Sequence, residues 1–156
     1  MPVHPLIALA VATLSAAPAL AGPLQVTSTV LVETRTAAAD GTTRVALAKP
    51  ARVVPGDRVV FVLGYRNTGR EPIANLVLAN PLPPAIAYRA PRAGSPAPEL
   101  SVDGRTYGTL AALTVALPGG GSRPARPDDV TAVRWRLSTP LAAGGQGELA
   151  FQAALK

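Results

Sequence analysis

The sequence contains no cysteine, and its one methionine and one histidine, Met1 and His4, lie within the first four residues. Without thiols there is no disulfide, no thiolate nucleophile and no lipid-anchored cysteine. Zinc and copper sites draw on His or Cys, and nothing after His4 supplies either. Serine chemistry needs a base, and Ser122 sits in GGGSRP, which is not the G-x-S-x-G nucleophile elbow. Lys49 and Lys156 lie in no recognisable Ser-Lys motif. These gaps point away from an enzyme, and no cofactor is expected. Aromatic residues make up 4% of the chain, so a core must be built mostly from Val, Leu, Ile and Ala. Past residue 21 no apolar run approaches the ~18 residues needed to cross a bilayer as a helix.

Met1 to Ala21 (MPVHPLIALAVATLSAAPALA) is apolar, carries no charged side chain and ends in Ala19-Leu20-Ala21. That small-x-small ending predicts a cleaved secretory signal peptide and a mature N-terminus at Gly22. Residues 22–156 are then one domain, with an exported destination that is periplasmic or secreted. The formal net charge of +6 comes mainly from arginine. Nucleic acid is not expected to meet an exported chain, so anionic envelope material is the better charged partner. The alternative is a solvated surface, which suits arginines scattered rather than clustered.

Arg52 to Tyr88 organises the chain. Val59, Phe61, Leu63 and Tyr65 fall on one side of an extended segment, and Arg58, Val60, Val62, Gly64 and Arg66 on the other. Pro55-Gly56-Asp57 opens this strand, and Asn67-Thr68-Gly69 turns it into a second apolar run, Ile73 to Leu78. Pro81, Pro83 and Pro84 stop that run, because proline cannot donate to a ladder.

PGDRVVFVLGYRNTG, followed by NLVLANPLP and AIAY, resembles the DUF11 or "conserved repeat" family of bacterial immunoglobulin-like domains. The family pattern is a P-G-D corner, an alternating strand ending in N-x-G, a V-x-V-x-D strand and an L-P-x-x-x-x-Y exit. VRWRLSTPLAAGGQGELAFQAAL resembles its closing hairpin, so the likeness runs over residues 52–156. Asn80 stands where the family usually carries aspartate. The resemblance implies an immunoglobulin-like antiparallel β-sandwich.

The rest of the chain agrees with that class. Leu24 to Thr36 alternates as a first strand, Asp40-Gly41 offers a turn, and Thr42 to Ala48 pairs back, so residues 22–51 form an N-terminal hairpin. Ala90 to Glu99 is expected as a loop, and Leu100 to Tyr107 as a small hairpin about Asp103-Gly104. Leu110 to Leu117 suits either a helical turn or a strand. Pro118 to Asp129 (PGGGSRPARPDD) is expected as the longest flexible loop. Val130 to Ser138 and Gly147 to Leu155 are the last two strands, turned by Gly144-Gly145. Seven to nine short strands, with no long 3.6-residue period after the leader, predict an all-β sandwich.

Several residues are candidates for contact with a partner. Arg58 and Arg66, and Arg134 and Arg136, face away from the expected core; if their strands were neighbours they would form one basic stripe suited to phosphate or carboxylate. The other possibility is a solvated outer face. Arg123 and Arg126 place positive charge on the 118–129 loop, which is either a binding loop or an idle connector. Tyr107 is the candidate exposed aromatic contact, whereas Trp135 alternates with arginine beside aliphatic residues and reads as a core anchor. Asp40, Asp57 and Asp103 read as turn residues. Asp128-Asp129 has no D-x-D-x-D-G setting, so a cap at the start of a strand fits it better than calcium. The expected function is a non-catalytic structural or protein-interaction module of the cell envelope. The alternative is a small binding protein for anionic envelope glycans or lipids.

Overall fold

The computed structural model describes residues 22–49 and 54–156. The expected signal peptide, Met1 to Ala21, and the Pro50 and Arg52 positions lie outside the described residues. Strands make up about half of what is described: β1 (Leu24–Ala37), β2 (Thr43–Ala48), β3 (Arg58–Asn67), β4 (Val77–Pro81), β5 (Ile86–Pro91), β6 (Glu99–Ser101), β7 (Thr114–Ala116), β8 (Ser122–Pro124), β9 (Ala132–Arg136) and β10 (Gln146–Leu155). Two one-turn 3-10 helices, Leu110–Ala112 and Pro127–Asp129, are the only helical elements among the described residues. The all-β expectation therefore holds, with ten strands rather than seven to nine.

Every strand pairing is antiparallel. One sheet has the order β2-β1-β3-β10-β5, a second has β4-β9-β6, and β7-β8 form a separate ribbon. The alternation in β3 explains how the two sheets meet. Val59, Phe61 and Leu63 share a face with Ala153, Phe151 and Leu149, their register partners on β10. Phe61 and Phe151 stack with ring centroids 4.9 Å apart, and Trp135 of β9 approaches Phe151 at 6.1 Å from the other sheet. Leu78, Leu100 and Val133 complete the contribution of β4, β6 and β9 to the same cluster. Trp135 is thus the core anchor expected of it; its indole N–H donates to the Pro96 carbonyl at 2.9 Å. Val60, on the opposite face of β3 between Leu31 and Gln152, is also buried.

Four expectations about connectivity change. β3 and β4 do not form a hairpin but belong to different sheets, because the chain crosses over after Asn67. The last two strands do the same: β9 lies in the three-stranded sheet and β10 beside β3. Ala90 and Pro91, expected in a loop, end β5, which pairs with β10, and Glu99 opens β6. Finally, Pro118 to Asp129 is not one flexible loop. Ser122–Pro124 pairs with Thr114–Ala116, and Pro127–Asp129 closes a 3-10 turn. The Gly120 and Gly121 backbones, at φ of 92° and 80°, make the tight reversal between β7 and β8. Leu110 to Leu117 contains both of the forms its pattern allowed, a 3-10 turn and then β7.

Candidate functional site

The four strand arginines do not assemble. Arg58 and Arg66 sit at opposite ends of β3, eight residues and so about 26 Å apart along an extended chain. Arg134 and Arg136 are on β9, in the other sheet. The stripe required β3 and β9 to be neighbours, and β3 lies between β1 and β10.

Arg134 and Arg136 instead share one carboxylate. β9 turns Val133 and Trp135 inward and the two arginines outward, while the register places Glu99 of β6 opposite Arg134. Arg134 donates from Nε to Glu99 Oε2 at 2.7 Å, with Nη2 at 2.6 Å, and Arg136 Nε reaches the same oxygen at 3.4 Å. The Arg134 hydrogen bond, helped by the charges of both arginines, holds the Glu99 carboxyl below its ordinary range. Tyr107, the candidate aromatic contact, lies under the Arg134 guanidinium, whose carbon is 3.9 Å from the ring centroid. Glu99 and Tyr107 therefore clamp Arg134 from two sides, and its side chain is only 19% exposed.

The pair Arg123 and Arg126 divides in the same way. Arg123 grips Asp129 with its fork, Nη1 to Oδ2 at 2.6 Å and Nη2 to Oδ1 at 2.7 Å. Asp129 also accepts from the Arg126 backbone N–H at 2.8 Å, which makes it the cap ahead of β9. The Arg123 fork and that amide push the Asp129 carboxyl far down, and the same contact raises Arg123. Asp128 faces the other way, into an ion pair with Arg89 of β5 at 2.6 Å. The two adjacent carboxylates are thus spent on two different arginines. No group of three or more His, Cys, Asp or Glu side chains converges on a metal-sized site among the described residues.

The remaining aspartates are occupied by turns. Asp40 accepts from the Thr42 backbone N–H and hydroxyl, which lowers its pKa. Asp57 accepts from the Val54 N–H. Asp103 accepts from the Arg105 and Thr106 N–H groups, both at 2.8 Å, and those two amides depress its pKa strongly. The buried Ser101 hydroxyl donates to Asp103 and accepts from the Gly104 N–H, so the turn after β6 is knitted by side chains.

One surface feature was not foreseen. On the five-stranded sheet, Gln25 and Thr27 of β1, Gly64 and Arg66 of β3, and Gln146 and Glu148 of β10 line a shallow depression of about 430 Å³. The register sets them in two rows, Gln25–Arg66–Gln146 and Thr27–Gly64–Glu148, with the glycine as floor. A Cβ at Gly64 would lie 2.7 Å from Thr27 Oγ1, so any side chain there would force the Thr27 hydroxyl to shift. Gly64 within a Val- and aromatic-rich strand was the available signal. Gln25, Gln146 and Glu148 carried none, since only pairing brings them together. Arg66 has no ion-pair partner among the described residues and is exposed.

The other surface of note is an edge. β1 pairs with β3 through Leu24–Val32 and with β2 through Val32–Ala37. On the side away from β3, residues 24–31 have no strand partner among the described residues, and Gln25 to Thr29 are exposed. No protein-family model, no curated protein and no solved structure matches this chain.

Proposed function

We propose that this chain is a non-catalytic, exported immunoglobulin-like β-sandwich that serves as a structural or protein-interaction module of the bacterial cell envelope. The observation that carries the reading is the uncharged open edge of β1, a surface able to add a partner strand through backbone hydrogen bonds. Two antiparallel sheets over one core support the sandwich, and the 52–156 resemblance supports the conserved-repeat family. The non-catalytic reading draws support from the aspartates, all five of which are engaged in turns or ion pairs. Met1 to Ala21 supports export, to the periplasm or beyond.

A second reading, binding of anionic envelope glycans or lipid headgroups, is favoured by one observation. Arg66 has no ion-pair partner among the described residues and lines an open depression with Gln25 and Gln146, donors suited to carboxylate or phosphate, although Glu148 lines the same depression and opposes an anion. The neutralised arginines elsewhere weigh against it.

Capture from envelope extract along a salt series separates the two. The protein-interaction reading expects a protein retained from about 0.05 to 0.5 M salt, because strand pairing is little screened. Captured glycan or lipid that is shed as salt rises, and lost in Arg66→Glu, would overturn it in favour of the second reading.

A further inference from the structure

The four outer strands of the two main sheets, together with β1, offer edges of very different kinds. β5 ends in Pro91, faces a β-bulge at Gln152/Ala153 and is held by the Asp128–Arg89 ion pair. β6 is three residues long, and its free side is taken by the Leu100–Gly108 bridge. β4 ends in Pro81 after five residues. β2 has six residues and carries Arg44. Proline, bulges, shortness and charge are the devices by which sheet edges avoid pairing with other chains. The β1 edge uses none of them. Its eight residues, LQVTSTVL from Leu24 to Leu31, contain no charge, no proline and no glycine.

We propose that the β1 edge over Leu24–Leu31 pairs antiparallel with the same edge of a second copy of this chain. The inference rests on the interaction reading above and names its surface and occupant. A two-fold axis perpendicular to the sheet keeps the core-side faces of both copies on one side, so each residue opposes one of like parity. With Ser28 on the axis, Val26 meets Val30, Thr27 meets Thr29, and Gln25 meets Leu31. No like charges are opposed, and β-branched residues face one another on both surfaces, pairs that favour a ladder. Val26, 46% exposed in the single chain, is covered by Val30 of the second copy. The seven residues Gln25–Leu31 give a ladder about 24 Å long. Self-pairing also closes: it consumes the same edge in both copies, so assembly stops at a dimer instead of growing into a fibre. A foreign strand would need the same uncharged, β-branched character, which this chain already supplies.

The test uses the full-length gene product and thiol chemistry without background, since the chain has no other cysteine. Ser28→Cys places two thiols across the axis, where directly opposed Cα atoms stand about 4.5–5.5 Å apart, within disulfide range. It is expected to cross-link rapidly under mild oxidant, whereas Thr139→Cys, exposed ahead of β10, is not. Sedimentation equilibrium of the unaltered protein is expected to show a concentration-dependent dimer. Val26→Lys is expected to weaken that dimer by about tenfold or more while leaving unchanged the melting temperature measured at dilution where both proteins are monomeric, because lysine on an edge opposes pairing and Val26 is exposed. A protein monomeric to about 100 μM, or a Ser28→Cys that cross-links no faster than Thr139→Cys, overturns the inference. If Val26→Lys then still abolishes capture of the envelope partner, the broader interaction reading stands with a foreign strand in the edge. If capture is unaffected, that reading loses its surface as well.

Discussion

The side chain of Asn67 is fully buried, and each of its polar atoms has a partner. Its amide donates to the carbonyls of Glu71 at 2.8 Å, Leu141 at 3.0 Å and Ala142 at 3.1 Å, and its oxygen accepts from the Gly69 N–H at 2.9 Å. Its backbone bonds Gly144 and Gly145. One residue thus ties the end of β3 to both chain segments that cross between the sheets. Asn67→Ala is expected to cost roughly 2–4 kcal/mol in urea unfolding, since it strands buried carbonyls as well as losing hydrogen bonds. A loss below about 0.5 kcal/mol would show that water replaces the side chain freely. The carboxylates give a second expectation at this scale. Asp103, Asp129, Glu99 and Asp40 all have folded-state pKa values below their ordinary ones. Their contribution is therefore complete above the ordinary carboxylate range and lost as pH falls through the depressed values, so stability should decline below about pH 4. Asp129→Asn should lower the urea midpoint at pH 6 and flatten that acid decline. An unchanged slope between pH 4 and 2.5 would remove Asp129 from the account.

At the scale of single elements, β3 sets the clearest test of register. Leu63 is 1% exposed in the shared core, whereas Val62, on the opposite face, is only half-buried. Leu63→Ala is expected to cost roughly 2–5 kcal/mol and Val62→Ala clearly less, read from urea midpoints. Equal losses would mean that the face carrying Val60 and Val62 is as tightly covered as the core. The β7–β8 ribbon yields a second test. Removing Gly119 to Gly121 and rejoining the strands with a two-residue turn should leave melting nearly unchanged. Deleting Gly119 to Pro127 should lower it sharply, because that cut takes β8, the Arg123–Asp129 pair and Ala125, whose N–H bonds the Leu113 carbonyl. Equal melting of the two would show that β8 contributes nothing. Alternation made β1, β3 and the inward face of β9 legible in the sequence, since each has its apolar residues two apart. β8 was hidden by SRP lying between glycines and prolines; it forms because Val115 and its neighbours supply a ladder across a tight reversal.

For the whole molecule, the outward direction of Arg134 and Arg136 was legible and their company was not. A local pattern says which face a residue takes but not which sheet its strand joins, and that choice separates Arg58 and Arg66 from the β9 pair. The same limit hid Glu99 as the partner of both arginines, for its pairing with Arg134 spans 35 residues. Export belongs to this scale too. Mass spectrometry of protein made in a bacterial host is expected to find Gly22 at the N-terminus, and an intact Met1 in the cytosol would refute it.

The position of β3 also has a consequence in time. Its ladder to β1 joins residues 27 to 43 positions apart, but its other ladder joins Arg58–Arg66 to Gln146–Ala154. Half of the pairing of the central strand, and both phenylalanines of the core stack, must wait until residue 154 has been synthesised. Loop closure over some ninety residues precedes any gain from those contacts, which makes such strands slow to fold. Until β10 is made, β3 has its ladder to β1 but an open second edge, so the sheet of a nascent chain is split at its centre.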